Sequence, residues 1–365
     1  MRIAIDATPL TCSTGGIRRY VEELTRALAL CSPNDDIFLL TDQQGWLLPE
    51  ELRQLANVQA PAPEREHLRG KWWSLGLPWA LARHRIDVFH GSDFAVPYLP
   101  LRPSVLVVHD LSPWKNPPLR AEGAGRVRSR APCLFRIATL LVTPSEAVKW
   151  ELADAFGIPP SRIVVTPLAA RGEFRPAAEA EVTSWLRQHG LRQPYLAALA
   201  APQPRKNIEN LLDAWAAART ICPDLRLVCM GSLPGATMKR YSQGGLDVLP
   251  PLPDSGLRNL LSGAVAFVYP SLYEGFGLPV LEAMQMSVPV VTSQDKAISE
   301  VAGGAALQVD VTNAELFRRA VVEVATNPRL QADLRAKGMQ RSSQFSWRTT
   351  AVLTRQSYVE AIRRF

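Results

Sequence analysis

Two glutamates, Glu274 and Glu282, frame the stretch Ser271-Leu-Tyr-Glu-Gly-Phe-Gly-Leu-Pro-Val-Leu-Glu-Ala-Met284, with seven residues between them. Ionised carboxylates only accept hydrogen bonds, so each can take a pair of sugar hydroxyls. One would suit a sugar and the other a ribose. The pattern predicts a strand ending at Pro270, a glycine-bearing loop, and a helix opening near Leu278. Pro279 falls in the first turn, where a missing N–H costs little. The unpaired amides of such a helix start favour an anion. The plainer alternative is a solvated helix carrying two ordinary glutamates. Against it, the glycines, the proline and both acids coincide directly after a strand.

A second segment, Ala201-Pro-Gln-Pro-Arg-Lys-Asn207, also follows an expected strand and opens a helix, with Asn207 placed to cap it. Arg205 and Lys206 at that start read as a diphosphate clamp, one cation bidentate and the other a point charge. The alternative is a solvated basic turn. A third segment, Ser13-Thr-Gly-Gly-Ile-Arg-Arg-Tyr20, places Gly15 and Gly16 where backbone can approach a ligand before a helix. By itself a double glycine is a turn, and the GxGxxG dinucleotide fingerprint is absent. In the fourth, Val107-Val-His-Asp-Leu111, His109 and Asp110 close a strand. No Asp-x-Asp pair occurs in the chain. We therefore expect no metal at the site and no cofactor, with the cations and the helix start neutralising a diphosphate instead.

The elements that must position these residues alternate. Strands are expected at 2–6, 86–90, 104–108, 140–143 and 162–166, and helices at 17–30 and 146–156. After a proline-rich, charged break near 170–194 the alternation restarts. Strands are expected at 195–200, 225–230, 246–249, 265–269 and 289–292, with helices at 208–219, 255–261 and 278–286. Strand, loop, helix, strand is the signature of a mostly parallel α/β sheet. The expectation is an α/β chain of two Rossmann-like domains, 1–170 and 171–345. Ligands of such sheets sit beyond the carboxyl ends of the strands, which is where all four segments fall.

A chain of 365 residues is long for one core and natural for two. No apolar run reaches the length of a membrane span. The opening MRIAIDATPL lacks the features of a signal peptide, so a cytoplasmic location is expected. Five scattered cysteines fit neither a disulfide framework nor a zinc site. The net charge of +7 suits an anionic partner. Basic residues do not interleave with aromatics as in RNA-binding signatures, so nucleic acid is not expected. The stretch 65–85 sets Arg65, Arg69, Lys71, Arg83 and Arg85 beside Trp72, Trp73 and Trp79, and 119–130 adds further arginines. Basic residues beside tryptophan suit the surface of an anionic membrane. Core tryptophans under a solvated basic face are the alternative.

Taken together, these segments resemble family-four retaining glycosyltransferases of the GT-B fold, in which the two domains face each other across a cleft. The resemblance implies that 1–170 is the acceptor side, that 171–345 binds the nucleotide sugar, and that a closing helix, 346–365, returns to the first domain. Glu274-GFGLPVL-Glu282 resembles the E-x7-E signature, and Arg205-Lys206-Asn207 the PRKN phosphate loop. Gly15-Gly16-Ile-Arg-Arg-Tyr20 is similar to the GGIGRY loop, Val108-His-Asp110 to the HD strand end, and Thr143-Pro-Ser-Glu146 and 157–163 to further parts of the pattern. The resemblance implies that Arg205 and Lys206 bind the donor diphosphate. It gives Glu274 the hydroxyls of the donor sugar and Glu282 the ribose. Backbone at Phe276, Gly277 and Leu278 would line the sugar-phosphate, Gly16 would approach the diphosphate, and His109 would sit beside the donor sugar. Three positions depart from the pattern: Ala200-Ala201 replaces a glycine, Arg18 replaces another, and Leu249-Pro-Pro-Leu252 replaces a Gly-aromatic pair. The last leaves the base open between GDP- and UDP-sugars, and Arg18 becomes free to meet an anionic acceptor.

The implied reaction is transfer of a hexose, mannose first, to a glycan or lipid-linked glycan with retention of configuration, as in enzymes of cell-surface polysaccharide synthesis. Peripheral contact with the inner face of an anionic membrane goes with such an acceptor. The rivals are a nucleotide-sugar epimerase or phosphorylase on the same fold, and a binding module that has lost catalysis.

Overall fold

The computed structural model describes residues 1–12, 15–62, 70–117, 119–120, 125–241 and 244–365. The chain divides into two compact units. One holds Met1–Trp114, residues 125–168 and Ser346–Phe365; the other holds Ala169–Phe345 with the stretch that begins at Lys115.

The first unit is built on seven parallel strands in the order β3-β2-β1-β4-β5-β6-β7. They are β1 (Arg2–Asp6), β2 (Asp36–Leu40), β3 (Val58–Gln59), β4 (Val88–Gly91), β5 (Ser104–Val107), β6 (Leu140–Thr143) and β7 (Ile163–Val165). Most of their residues are buried, so these strands read as short apolar runs. The amphipathic helix Gly16–Cys31 buries Tyr20, Val21, Leu24 and Leu28 on one side. Ser145 caps the helix Glu146–Phe156 by accepting from the Val148 amide at 3.2 Å, and Gly157 ends it at φ 62°.

The last helix, Trp347–Arg364, belongs to this unit although it follows the whole of the other. It packs along Gly16–Cys31. Tyr358 reaches Nδ1 of buried His90 at 3.0 Å, and Tyr20 reaches its Nε2 at 3.2 Å. Burial, with His109 nearby, pushes His90 down to about 3, so the ring stays neutral between its two tyrosines. Arg355 donates to Asp35 at 2.6 Å, beside the N-terminal ammonium on the same carboxylate. The helix thus returns to the first unit on hydrogen bonds as well as apolar packing.

The second unit holds six parallel strands in the order β10-β9-β8-β11-β12-β13. They are β8 (Tyr195–Ala200), β9 (Arg226–Gly231), β10 (Leu246–Leu249), β11 (Ala266–Tyr269), β12 (Val290–Thr292) and β13 (Leu307–Gln308). Side chains alternate between two cores. Tyr195, Ala197, Phe267 and Tyr269 enter one, while Leu196, Ala198, Ala266 and Val268 enter the other. Both faces are covered by helices, as the doubly wound reading requires.

Some features of the sequence take different places. Asn207 precedes the helix Ile208–Ala218 but is left-handed, at φ 54°, and its side chain makes no cap; its Nδ2 donates to Val311 O at 3.3 Å. Trp72, Trp73 and Trp79 pack half-buried against the first core, so they do not supply a free interfacial face. Arg65 and Arg69 lie outside the described residues. Among the described residues, no helix is long and apolar enough to cross a membrane.

Candidate active site

In the second unit, strand order assembles the residues. β8 and β12 both flank β11, so the loops that follow these three strands emerge side by side. Arg205 and Lys206 come from a short 3-10 turn after β8, Glu274 from the loop after β11, and Asp295 from the loop after β12. The loops are laced together. The Leu272 amide donates to Arg205 O at 2.8 Å, and Ser293 Oγ donates to Ser271 O at 2.5 Å.

Glu274 is the hub. Its Oε1 accepts from Ser271 Oγ at 2.6 Å, from Tyr269 Oη at 2.7 Å, and from the Lys206 ammonium. Its Oε2 lies 3.3 Å from Arg205 Nη1, which also donates to Tyr273 O at 3.1 Å. Burial pushes the carboxyl up, but Lys206, Arg205 and the Ser271 hydroxyl outweigh it, and Glu274 is held below its ordinary value. The Tyr269 phenol moves the opposite way, raised by burial and by that same carboxylate. Arg205 Nε is buried without a hydrogen-bond partner among the described residues. Two cations held side by side in this way suit a diphosphate.

Asp295 was not foreseen. It accepts from the amides of Ala297 and Ile298, both at 3.1 Å, and so starts the helix Lys296–Ala302. Burial, aided by the nearby Glu274 charge, pushes it to about 6. Asp295 thus adds a titratable group beside the hub.

The glycine loop matches its expected local form. Gly277 adopts φ 96° and starts the helix Leu278–Gln285 with Pro279 in its first turn. A Cβ there would lie 3.3 Å from Ile298, so both the conformation and the space favour glycine. Phe276 is buried, edge-on to Phe345. Glu282 lies on the inner side of this helix and is only 3% exposed. There it accepts from Arg171 Nε at 3.2 Å, an arginine equally buried, paired also with Asp254 and stacked on Phe174 at 3.8 Å. The structure therefore brings Glu274, Arg205 and Lys206 into one cluster, whereas Glu282 belongs to a separate buried pair. Arg171 sits in the break between the two alternating halves, with no spacing signal that links it to Glu282.

The first unit assembles a second constellation by the same rule. β1, β4 and β5 are neighbours, so Asp6, Ser92, Asp93 and His109 gather where these strands end. His109 Nε2 lies 2.9 Å from Ser92 O, and Tyr20 meets the imidazole edge-on at 4.8 Å between centroids. A carbonyl can only accept, so Nε2 carries the proton and Nδ1 is the acceptor. Burial lowers the His109 pKa against the opposing pull of Ser92 and Asp110, which keeps it neutral. Asp110 turns back to accept from the Ser112 amide at 2.8 Å and its hydroxyl at 2.6 Å. Gly15 and Gly16 open the first helix, Gly15 at φ 137°; Ser13 and Thr14 lie outside the described residues. Arg18 is not free for an acceptor. It donates to Leu10 O and Cys12 O and pairs with Glu22 at 2.7 Å.

Among the described residues no group of three or more His, Cys, Asp or Glu is arranged to hold a metal ion. Two family descriptions match the chain: "Glycosyltransferase Family 4" over residues 14–170 and "Glycosyl transferases group 1" over 193–327. The chain is 28% identical to O-antigen chain mannosyltransferase B of Escherichia coli, covering 98% of this chain and 99% of that one. It is 31% identical to an MMP alpha-(1->4)-mannosyltransferase of Mycolicibacterium hassiacum, over 69% of this chain and 61% of the relative. In fold it is similar to Anabaena Alr3699/HepE, solved with UDP and glucose, at TM-score 0.75 and 15% identity over 99% of this chain and 100% of that one.

Proposed function

Because the chain is a glycosyltransferase of the GT-B fold, we propose that it moves a hexose, with mannose the first candidate, from a GDP- or UDP-sugar to a glycan or lipid-linked glycan with retention of configuration and without a metal. One observation carries the donor side of this reading: Arg205 and Lys206 converge on Glu274 where the loops of neighbouring strands emerge. A diphosphate at this cluster would take the two cations, which would leave Glu274 free to accept sugar hydroxyls. Mannose comes first because both relatives matched by sequence, the Escherichia coli and Mycolicibacterium hassiacum enzymes, are mannosyltransferases.

The bond from the anomeric carbon to the phosphate oxygen breaks, and a bond to the acceptor oxygen forms on the same face. The acceptor's proton passes to the departing phosphate. Charge grows on the leaving group as the sugar becomes oxocarbenium-like, so Arg205 and Lys206 bind the transition state more tightly than the ground state. Glu282, held by Arg171, is the proposed ribose acceptor, and the backbone from Phe276 to Leu278 the proposed lining of the phosphate. Gly15 and Gly16 are proposed to approach the diphosphate, and neutral His109 to offer Nδ1 to the sugar. The proposed setting is the cytoplasm, with peripheral contact at the inner face of the membrane.

Incubation with labelled GDP-mannose, GDP-fucose, UDP-glucose and UDP-galactose tests the reading. Transfer to an acceptor, undiminished in EDTA, is the expected result. An epimerase would alter the donor with no acceptor present, and a binding module would retain it unchanged. Either outcome rejects the proposal, and activity restored to a chelated enzyme by magnesium or manganese rejects its metal-free form.

A further inference from the structure

A hollow of about 390 Å³ opens in the first unit where β1 and β4 end, its wall including Asp6, Thr8, Trp73, Asp93 and the start of the first helix. A smaller hollow of about 150 Å³ adjoins it and shares Trp73, Asp93 and Ala95. Tyr98, Arg126 and Arg130 line its outer part. The larger one falls within the size range of small-molecule sites.

Three features of the wall are unusual for a surface dent. Phe94 holds φ 46°, a conformation an aromatic residue rarely adopts. Gly91 lets the chain fold back, since a Cβ there would lie 1.8 Å from Ala95 O. Together they fix the turn that carries Asp93. Trp73 sits in a π-helical turn, Trp72–Gly76, and such turns recur at functional sites.

The two aspartates differ. Asp6 is satisfied: its Oδ1 accepts from the Thr8 amide at 3.1 Å and its hydroxyl at 2.7 Å, and Oδ2 from Ser92 Oγ at 3.0 Å. Asp93 has no such partner among the described residues. Burial, with Asp6 and Asp110 nearby, raises it to about 7. A carboxyl set at the wall of a hollow without a partner is available to a ligand.

Resting on the glycosyltransferase reading, we propose that the hollow at Asp93 and Trp73 is the acceptor site and that it takes the end of an uncharged oligosaccharide, with the adjoining hollow receiving the next sugar. The indole offers an apolar face, and the carboxyl offers acceptors for ring hydroxyls. A carboxyl held near neutrality can both give and accept hydrogen bonds to hydroxyls, and Arg18, the cation on the wall of the larger hollow, is already engaged and not open to pair with a phosphate there. The enzyme then extends a glycan that an earlier glycosyl transfer has begun, and does not itself glycosylate a lipid phosphate.

The test uses the full chain and methyl α-mannobiosides of each linkage, methyl α-mannoside and polyprenyl phosphate. Saturation-transfer NMR reads sugar binding without a donor, and initial rates read KM and kcat with one. The mannobiosides are expected to bind, the monosaccharide more weakly, and polyprenyl phosphate not to serve as acceptor. Asp93→Asn, which keeps the side chain's shape, is expected to raise the acceptor KM at least tenfold while calorimetry finds unchanged affinity for GDP or UDP. Trp73→Phe is expected to raise it about threefold. Unchanged KM in both variants overturns the proposal, as does absent mannobioside binding or efficient transfer to polyprenyl phosphate. A wild-type chain that binds mannobioside but neither nucleotide instead fails the donor-side reading, so the two failures are distinct.

Discussion

Glu274 and Asp93 are both carboxyls set in loops beyond strand ends, one in each unit, and their surroundings drive them apart. Glu274 has two cations and two hydroxyls on it and stays charged below its ordinary range. Asp93 has burial and two further aspartates against it and rises to about 7. Desolvation disfavours the charge in both places; only near Glu274 is it outweighed. The contrast is the one expected if, as proposed, the first serves an anionic leaving group and the second neutral hydroxyls.

The largest effect is expected where the charge is removed from the hub. Glu274→Gln keeps the shape of the side chain but loses the anion that orders Lys206 and Arg205. Turnover should fall on the order of 10²–10³-fold, the scale seen when one preorganised group is lost. Single-turnover rates on folded protein check this, and wild-type turnover would reject the role of Glu274. Next come Arg205→Ala and Lys206→Ala. Each removes a charge-assisted contact of about 1.5–3 kcal/mol, which corresponds to roughly 10–150-fold in affinity for the nucleoside diphosphate. Calorimetry with GDP and UDP reads it, and unchanged affinity counts against a clamp.

The comparison also makes a prediction of sign. Glu274 titrates lower folded than unfolded, so its stabilisation is present above its ordinary value of 4.5 and is lost as pH falls through its folded pKa. Glu274→Gln should therefore lower Tm at pH 7, with the deficit closing in acid. Asp93 is the reverse. Between its ordinary 3.8 and about 7 the folded chain holds a proton that the unfolded chain has lost, so stability falls as pH rises through that window. Asp93→Asn should raise Tm by a few degrees at pH 8, and the gain should vanish near pH 4. Melts of Glu274→Gln from pH 7 down to about pH 2.5, and of Asp93→Asn across pH 4–8, test the pair, and a Glu274 deficit that does not close in acid or an Asp93 gain that does not close toward pH 4 would break the contrast. A residue that destabilises the fold where it stands is retained for something other than stability.

The alternation of strands and helices was legible because each segment carries its own period, and the sheet order then follows from two doubly wound halves. The strand 2–6 and the helix 146–156 were read with the boundaries they have. β2, β3 and β13 escaped: β3 and β13 have two residues each and no period to detect, and in β2 the short apolar run Ile37–Leu40 has no alternation to mark it. The Arg205-Lys206 turn and the Glu274 loop stood out because glycine, proline and charge cluster within a few residues. Asp93, Asp295 and Arg171 did not, because each gains meaning only from a neighbour far along the chain. Arg171 meets Glu282 across 111 positions. Asp93 became visible only once β1, β4 and β5 lay side by side. Arg18 shows the opposite failure: its charge was plain in the sequence, but two carbonyls and Glu22 within twelve residues already hold it.

The smallest effect concerns the surface of the first unit. The tryptophans of the 71–85 stretch lean on the core, so any membrane face must be built from other residues. Leu75, Leu99 and Leu101 are exposed at 47%, 49% and 58%. They flank the Tyr98 loop, whose amide donates to Trp73 O at 2.9 Å and whose hydroxyl meets Arg130 at 3.4 Å. Arg126, Arg128 and Arg130 lie exposed along the helix Gly125–Ile137 next to that loop. Each basic residue near an anionic leaflet contributes about 1 kcal/mol, and three with a few leucines give weak, reversible attachment. Flotation with vesicles containing anionic phospholipid should carry the protein at low salt. At 1 M salt, where the screening length falls to about 3 Å, it should release it. Arg126→Glu with Arg128→Glu should abolish flotation while GDP or UDP binding persists. No flotation at low salt removes the membrane from the account, and the acceptor then reaches the enzyme in solution.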